Sequence, residues 1–490
     1  MKTPTNKKGS SQPGIANRFA VYLTPAIFQG VLSFLMLPVT TNVLSAEDFG
    51  TFALLASLTG FGTPLALMGS SYLLNGRYLS SDEPGRRTLI TTILAVGLFI
   101  SLLFAGVFLT IWPLLVSAFP LLSAVPKGAV GLSLATVILS VPWATASDVI
   151  TIEGKPTPFA VVLIGQSVVT AAVNVIGLYV ARAGVISLFV AAMAGSLVYT
   201  IGGFFVLRGH LGRIVSGKWI RELLRIGPVA SLGNFAESLQ TAVERSLLGG
   251  KFGLAQVAIY NHSQQYQQMT FSFVKAVTRS VWPVTLKESQ DASSDFAGTE
   301  SAWTLVHVGL TMIGLFFVFL GADFISFISH GKFSAAAPLV SYWMIFLMIK
   351  HMGRAQYGYL LANRHSHFIA MLTLGSIALS VSSMFVLIPA FGSIGALLAF
   401  CVQDAAFRVG VFIKGRRLRE FGFHDKWALG GILVIVLSLL ANWLINPQFV
   451  ERVVLFTLIE FGLAVLLLRN SSMRSLFNRA LRTVDSPHSG

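Results

Sequence analysis

The chain of 490 residues is 54% hydrophobic and 11% charged, with a net charge of +15 and a mean hydropathy of +0.74. A soluble globular protein carries about 25% charged residues, so the composition excludes a chain that faces water on all sides. The single cysteine, Cys401, excludes an intramolecular disulfide.

Apolar runs of about twenty residues recur from end to end, long enough to cross a hydrocarbon core of roughly 30 Å. Helices satisfy their backbone hydrogen bonds within each crossing, and these runs are too long and too evenly apolar for the strands of a barrel. The expected fold is an all-α polytopic membrane protein. In chain order, a polar, basic tail (1–17) precedes spans at 19–44, 51–74, 88–112, 130–150, 159–180 and 185–207. A basic linker (208–226) leads to spans at 228–248, 254–281, 303–328, 338–361, 368–388 and 394–413. Two more, at 427–445 and 453–468, bring the count to about fourteen, followed by a tail at 470–490. The expected units are a first lobe (18–207), a second lobe (227–413) and two appended helices within 427–469. The first apolar run has no small-residue cleavage site after it, so it reads as a retained helix and not a signal peptide.

Of the 35 Lys and Arg residues, 24 lie on one side of this topology and 5 on the other. Cytoplasmic loops carry the Lys/Arg excess, which places both termini in the cytoplasm, where anionic lipid head groups add attraction. The same asymmetry explains the basic charge without nucleic acid as a partner. External loops are short, the longest being about 113–127. A glycosyltransferase or polymerase acting outside needs a large external loop or an acidic pair there, and neither is present.

The chain repeats itself weakly. Pro25 precedes Phe49-Gly50 by 24 residues, and Pro228 precedes Phe252-Gly253 by the same 24. NVLSAEDFGTFAL (42–54) lies over RSLLGGKFGLAQV (245–257), and AGVISL (183–188) over FGSIGA (391–396). Spans one to six thus match spans seven to twelve. Six is even, so both copies enter the membrane in the same direction, a parallel repeat. Two such lobes leave a cavity between them whose access alternates as they rock.

Ionisable residues within a span are costly and face a cavity or a partner. In the eighth span, at about 100° per residue, Asn261, Gln264, Gln265, Gln268, Ser272, Lys275 and Arg279 fall along one line. The seventh span repeats this with Ser231, Asn234, Glu237, Ser238, Thr241 and Arg245, and the first more faintly with Arg18, Tyr22, Gln29, Ser33 and Thr40. Uncharged members can also simply join helices. Lys275 and Arg279 can snorkel to the cytoplasmic interface. Lys350 and Arg354 share a face with Tyr357, and Asp404 and Arg408, four apart, can neutralise each other, as can Glu244 and Arg245. His262, His307 and His351 stand alone, without metal-ligand spacing. The in-span cations Arg245, Lys275, Arg279, Lys350, Arg354 and Arg408 all belong to the second copy, with Arg18 at the edge of the first. A low-dielectric cavity so lined attracts anions, and the guanidinium fork suits phosphate oxygens. The expected substrate is anionic, held by these cations together with Gln29, Asn234, Asn261, Gln264, Gln265 and Gln268.

No GxxxxGK(S/T), GxSxG, CxxC or HExxH motif occurs. No catalytic residue, metal ligand or cofactor is therefore expected. Transport would be coupled to H+ or Na+, with Glu237, Glu244 and Asp404 as candidate carriers, or would run downhill as product is consumed.

The first span running into LPVTTNVLSAEDFGTFAL (37–54) resembles the entry helix and L-x-x-x-(E/D)-(F/Y)-G turn of the polysaccharide (Wzx-type) flippases of the multidrug/oligosaccharidyl-lipid/polysaccharide (MOP) exporter superfamily. IGPVASLGNFAESLQTAVERSLLGGKFGLAQVAIYNHS (226–263) is similar to that family's G-L-P start, D-R pair and V-x-x-Y segment. LGADFISFISHGKFSAAAPLV (320–340) and VLIPAFGSIGALLAF (386–400) continue the likeness, which covers about residues 15–415. Glu244 stands where the family often has Asp, and two spans exceed the twelve-helix pattern, as in the lipid II flippase branch. The resemblance implies a MATE-like fold in a bacterial inner membrane. It further implies movement of undecaprenyl-pyrophosphate-linked oligosaccharide for O-antigen, capsule or exopolysaccharide, with membrane lipids and a polysaccharide polymerase or other assembly proteins as partners. The alternatives are a drug/cation antiporter of the same superfamily, whose cavity should be acidic, or a lipid II flippase, whose arginine-rich first lobe is not matched here.

Overall fold

The computed structural model describes residues 15–469 apart from 79, 292, 364 and 420–424. Every regular element among them is helical. The first lobe comprises α1 (Ile15–Val43), α2 (Ala46–Gly60), α3 (Gly62–Leu67), α4 (Ser70–Arg77), α5 (Glu83–Ala118), α6 (Lys127–Glu153), α7 (Pro156–Val175) and α8 (Ile186–Leu207). The second comprises α9 (Gly217–Phe252), α10 (Leu254–Gln290), α11 (Ala297–Phe319), α12 (Gly321–Ser329), α13 (Ala337–His351), α14 (Arg354–Ala362) and α15 (Ser366–Leu418). The chain closes with α16 (Lys426–Ile445) and α17 (Phe449–Arg469).

Local chemistry sets several boundaries. At the entry to α2, the Asp48 amide donates to Ser45 Oγ at 3.1 Å and the Ser45 amide donates to Asp48 Oδ2 at 3.0 Å. This reciprocal cap gives the LSAEDFG turn a structural task. Asp82 caps α5 by accepting from the Gly85 amide at 3.2 Å. The expected break between 388 and 394 is a kink inside α15, where Gly392 follows Pro389 and takes a φ of 57°, a conformation that favours glycine. A second break, at Met352-Gly353, bends α13 from α14 by 41°. The segment expected as a linker is already helical from Gly217, as the first turns of α9.

Among the described residues eight helices are long and apolar enough to cross a membrane, and nine if the bent pair counts as one. The count falls short of fourteen for a physical reason. α9 and α10 are 36 and 37 residues long, but their polar stripes lower their hydropathy, and α17 carries Glu451, Arg452 and Glu460. Large side chains including Phe99, Leu102 and Leu103 on α5 and Phe205 on α8 are exposed. Apolar surface of that extent needs lipid against it. This is a multi-pass membrane protein.

In the first lobe α8 packs on α6 and α7, α1 on α7, and α5 on α3 and α6. In the second, α9 packs on α15, α13 on α11 and α15, and α14 on α15. α16 leans on α11 and α13, and α17 on α11, so both appended helices belong to the second lobe. Counting α2–α4, α11–α12 and α13–α14 as one unit each, and α15 as two, the described residues give six helical units before the 208–216 connection and six after it. The lobes meet where α2 crosses α9 and α10, where α1 reaches α10 and α12, and where α3, α4 and α5 pack against α9.

Candidate functional site

The entry of α2 lies directly on the entry of α10. A Cβ built at Gly50 would stand 2.1 Å from the Leu254 carbonyl oxygen, so only glycine permits this crossing. Around it, Phe49 meets Phe333 edge-on at 5.5 Å. Lys332 Nζ donates to the Thr41 carbonyl at 2.7 Å, with the Asn42 and Leu44 carbonyls at 3.3 Å. A cation at the carbonyl end of α1 is favourable. These contacts latch the lobes together at one end of the bundle, called here the junction end. At the opposite end Arg77 on α4 pairs with Glu222 in the first turns of α9 at 2.6 Å, and within the first lobe Tyr78 Oη donates to Glu153 at 2.6 Å. Burial and the Glu153 carboxylate together raise the Tyr78 pKa above the ordinary phenolic value.

Inside the latch, α1, α7, α8, α9 and α10 enclose a cavity of about 660 Å³. Arg245 is its one charged lining residue among those described. Its Nη2 donates to Asn261 Oδ1 at 2.9 Å and Gln264 Oε1 at 3.0 Å, and its Nη1 donates to the Ala53 carbonyl at 2.7 Å. The guanidinium thus joins both lobes at the head of the cavity. Gln29, Gln265, Gln268, Ser33 and Ser272 complete the walls that the periodicity of α1 and α10 predicted. On the facing wall, Gln29 Nε2 approaches Gln166 Oε1 at 3.5 Å, and Gln166 Nε2 donates to Thr170 Oγ1 at 3.1 Å.

Sequence reasoning missed that facing wall. Gln166, Thr170 and Asn174 stand four apart on α7, with Ser167 beside them and Tyr199 arriving from α8. The i, i+4 spacing was there to be seen, but three polar residues in a twenty-residue apolar helix make a fainter stripe than α10 does. Tyr199 carried no sequence signal; its ring is fixed by stacking on Trp143 at 5.5 Å.

The other predicted residues lie elsewhere. The side chains of Arg18, Ser231 and Arg279 fall outside the described residues. Asn234 and Glu237 are exposed and do not line the cavity. Lys275 is exposed, with its ammonium 4.4 Å from the centre of the Phe271 ring. Glu244 is fully buried behind Arg245, and neither carboxylate oxygen has a hydrogen-bond partner among the described residues.

Lys350, Arg354, Asp404 and Arg408 gather on the far side of α10, inside the second lobe. Arg354 lies 5.0 Å from the Trp303 ring and 5.7 Å from Tyr357, and Arg408 lies 5.8 Å from the same Tyr357 ring. Arg408 Nη2 donates to the Lys350 carbonyl, and Arg354 Nη2 donates to His351 Nδ1. Asp404 forms no ion pair with Arg408 within 4.0 Å, and its Oδ2 is enclosed without a partner among the described residues. The expected lining of several cations therefore divides: one cation serves the cavity and three half-buried ones belong to a separate cluster around the buried Asp404 and His351.

The arrangement resembles known transporters in its backbone. A lipid II flippase, MurJ, in an inward closed conformation aligns with a TM-score of 0.67 at 12% identity, covering 93% of this chain and 98% of the other. An inward-facing multidrug resistance MATE family transporter of the MOP superfamily aligns with 0.60 at 13% identity, over 82% and 98%. An outward-facing conformation of a MATE family transporter aligns with 0.50 at 15%, over 84% and 98%. These likenesses establish the fold. Comparison with curated protein sequences finds no match. The family model described as polysaccharide biosynthesis protein matches residues 39–328. That stretch runs from the end of α1 through the latch and the whole α9–α10 wall, and the chain belongs to this polysaccharide biosynthesis protein family.

Proposed function

We propose that the chain is a flippase carrying undecaprenyl-pyrophosphate-linked oligosaccharide units across a bacterial inner membrane by alternating access. The observation that carries this reading is the cavity wall: one guanidinium among seven Asn and Gln side chains, with no acid among the described lining residues. Amides both donate and accept, which matches sugar hydroxyls. The guanidinium fork matches a phosphate, and the polyprenyl tail stays in the bilayer. A cation exporter needs a carboxylate in this place, so the lining favours a glycan over a drug cation.

The Lys/Arg-rich loops put the end opposite the latch in the cytoplasm, with both termini there. With the latch shut, the cavity faces the leaflet where such lipids are assembled, and the higher similarity to the inward-facing transporter agrees with this state. Loading replaces Asn261 and Gln264 by phosphate oxygens at Arg245, loosening its hold across the lobes so that the latch can part. Glu244, buried next to Arg245, is the proton carrier in this scheme; Glu237 is exposed and Asp404 belongs to the other cluster. A polysaccharide polymerase is the partner class that consumes the flipped unit.

Reconstitution into proteoliposomes containing polyprenyl-pyrophosphate-linked oligosaccharide tests the proposal, with glycan accessibility on each face as the readout. Movement of the glycan is expected, together with loss of surface polysaccharide when the gene is deleted. Efflux of cationic dye with no movement of the lipid-linked glycan would sink it in favour of an antiporter. The likeness to a lipid II flippase favours one second reading, and supplying lipid II in the same vesicles separates the two. Glu244→Gln should retain glycan binding and lose acceleration by a proton gradient.

A further inference from the structure

The cation cluster of the second lobe has enclosed donors that the described protein groups do not meet. His351 Nδ1 accepts from Arg354, so the neutral imidazole carries its hydrogen on Nε2. That atom is enclosed, His351 being 2% exposed, and has no partner among the described residues. Arg354 Nε, Arg408 Nε and Arg408 Nη1 are enclosed and unpartnered in the same way. Four N–H donors are therefore unpaired within one cluster, around the Tyr357 ring that both guanidiniums approach, where the enclosed free atoms able to accept among the described residues are Asp404 Oδ2 and, in one tautomer, His307 Nε2. Buried donors left unpaired are costly, and two such atoms cannot serve four.

The charges agree with the donor count. Lys350, Arg354 and Arg408 bring three positive charges. Asp404 brings one negative charge, which all three cations reach. Asp425, at the rim, takes the Gly353 amide at 3.1 Å and reaches Arg408 electrostatically. Among the described residues one positive charge remains. The neighbouring groups are aromatic: Trp303, Tyr357, Phe407 and Phe271 offer faces to the cations and no acceptor strong enough to replace an anion.

We propose that the second lobe holds a monovalent inorganic anion of the halide class, bound by Arg354, Arg408 and the Nε2 of His351 beside the α13–α14 break. The anion completes the charge balance of the bend and fixes α14 against α15. It is separate from the glycan cavity, since α10 stands between them.

The test is thermal unfolding of the full chain in lipid nanodiscs, in sodium chloride and in sodium gluconate at equal ionic strength. A saturable rise of about 2 °C or more in Tm is expected with chloride and with bromide. The rise should vanish in Arg408→Gln and persist in Arg245→Gln, which lies in the cavity across α10 from the cluster. Asp404→Asn removes the competing carboxylate and should lower the half-saturating chloride concentration severalfold, deciding the matter even if Arg408→Gln does not fold. Equal Tm in chloride and gluconate overturns the proposal. So does loss of the rise in Arg245→Gln, an unmoved or raised half-saturation in Asp404→Asn, or stabilisation by phosphate alone.

Discussion

Along α10, Asn261, Gln264, Gln265 and Gln268 turn to the cavity, whereas Tyr260, Ser263, Phe271 and Trp282 turn to α13 and α14. There Tyr260 packs on Trp343 at 5.7 Å, Ser263 Oγ accepts from Trp343 Nε1 at 3.1 Å, and Phe271 and Trp282 approach His351 and Tyr357. One face offers amides around a single guanidinium; the other covers three cations with rings. A polar group inside a membrane protein is therefore used in two ways. Where a ligand must enter and leave, the groups are neutral, exchangeable and able to bond water in its absence. Where half-buried cations stay with the protein, they are covered by aromatic faces that do not exchange.

The largest effect should come from the one cation on the ligand side. Arg245→Ala deletes its bonds to Asn261, Gln264 and the Ala53 carbonyl. Bonds to charged groups contribute about 1.5–3 kcal/mol each, so losing even one phosphate contact should cut transport about 10- to 100-fold. Arg245→Lys keeps the charge without the fork and should recover part of that loss. The measurement is initial flipping rate in proteoliposomes. Rates within twofold of wild type in Arg245→Ala would mean that the ligand passes elsewhere, and the contrast between the faces of α10 would lose its functional meaning.

Next in size is the latch. Gly50→Val forces a side chain against the Leu254 backbone, where a Cβ already falls 2.1 Å from the carbonyl oxygen. Overpacking of this kind costs about 1–3 kcal/mol, seen as a lower Tm and as wider separation between spin labels placed on α2 and α10. An unchanged distance and Tm would show that the lobes do not meet there.

How much of this was legible follows from what helical periodicity encodes. It gave the angular position of Gln264 or Lys350 about its own helix axis, and the stripe on α10 was found for that reason. It did not say which neighbour packs against that angle. Hence Arg245 and Arg354 looked alike as in-span cations, although one meets α2 across the lobes and the other meets Trp303 inside its own lobe. Asn234 and Glu237 shared a stripe with Arg245 but lie nearer the middle of α9, away from the latch. The α13–α14 bend at Gly353 falls within KHMGRAQ (350–356), polar residues that were read as part of one span, and a lone glycine there does not by itself specify a bend. The matched Phe-Gly pairs were visible, though their roles differ: Gly50 sits inside the first turns of α2, while Gly253, at a φ of 85°, is the joint between α9 and α10.

A smaller effect belongs to the neutral wall. Gln264→Ala removes one acceptor from Arg245, and Gln166→Ala removes the group shared with Gln29 and Thr170. Neutral hydrogen bonds contribute about 0.5–1.5 kcal/mol, so each variant should raise the half-saturating glycan concentration about two- to tenfold. Both should leave the chloride-dependent Tm rise untouched. Weakening by one alone would restrict the ligand to one wall of the cavity.

Gly30→Ala should do least, and that makes it the sharpest check on where the open space lies. Gly30 lines the cavity from α1, and a Cβ built there meets nothing within 4 Å. Gly50, later in the same lobe, has no such room. Within a helix, alanine is favoured over glycine by about 0.5–1 kcal/mol, so Tm should stay level or rise slightly. Transport should change by less than a factor of about two, the range expected of a change of about 0.4 kcal/mol or less. A fall in Tm comparable to that of Gly50→Val would mean that α1 is packed at this point in solution. The cavity would then have to lie farther along α7 and α10, where Asn174 and Gln268 still stand.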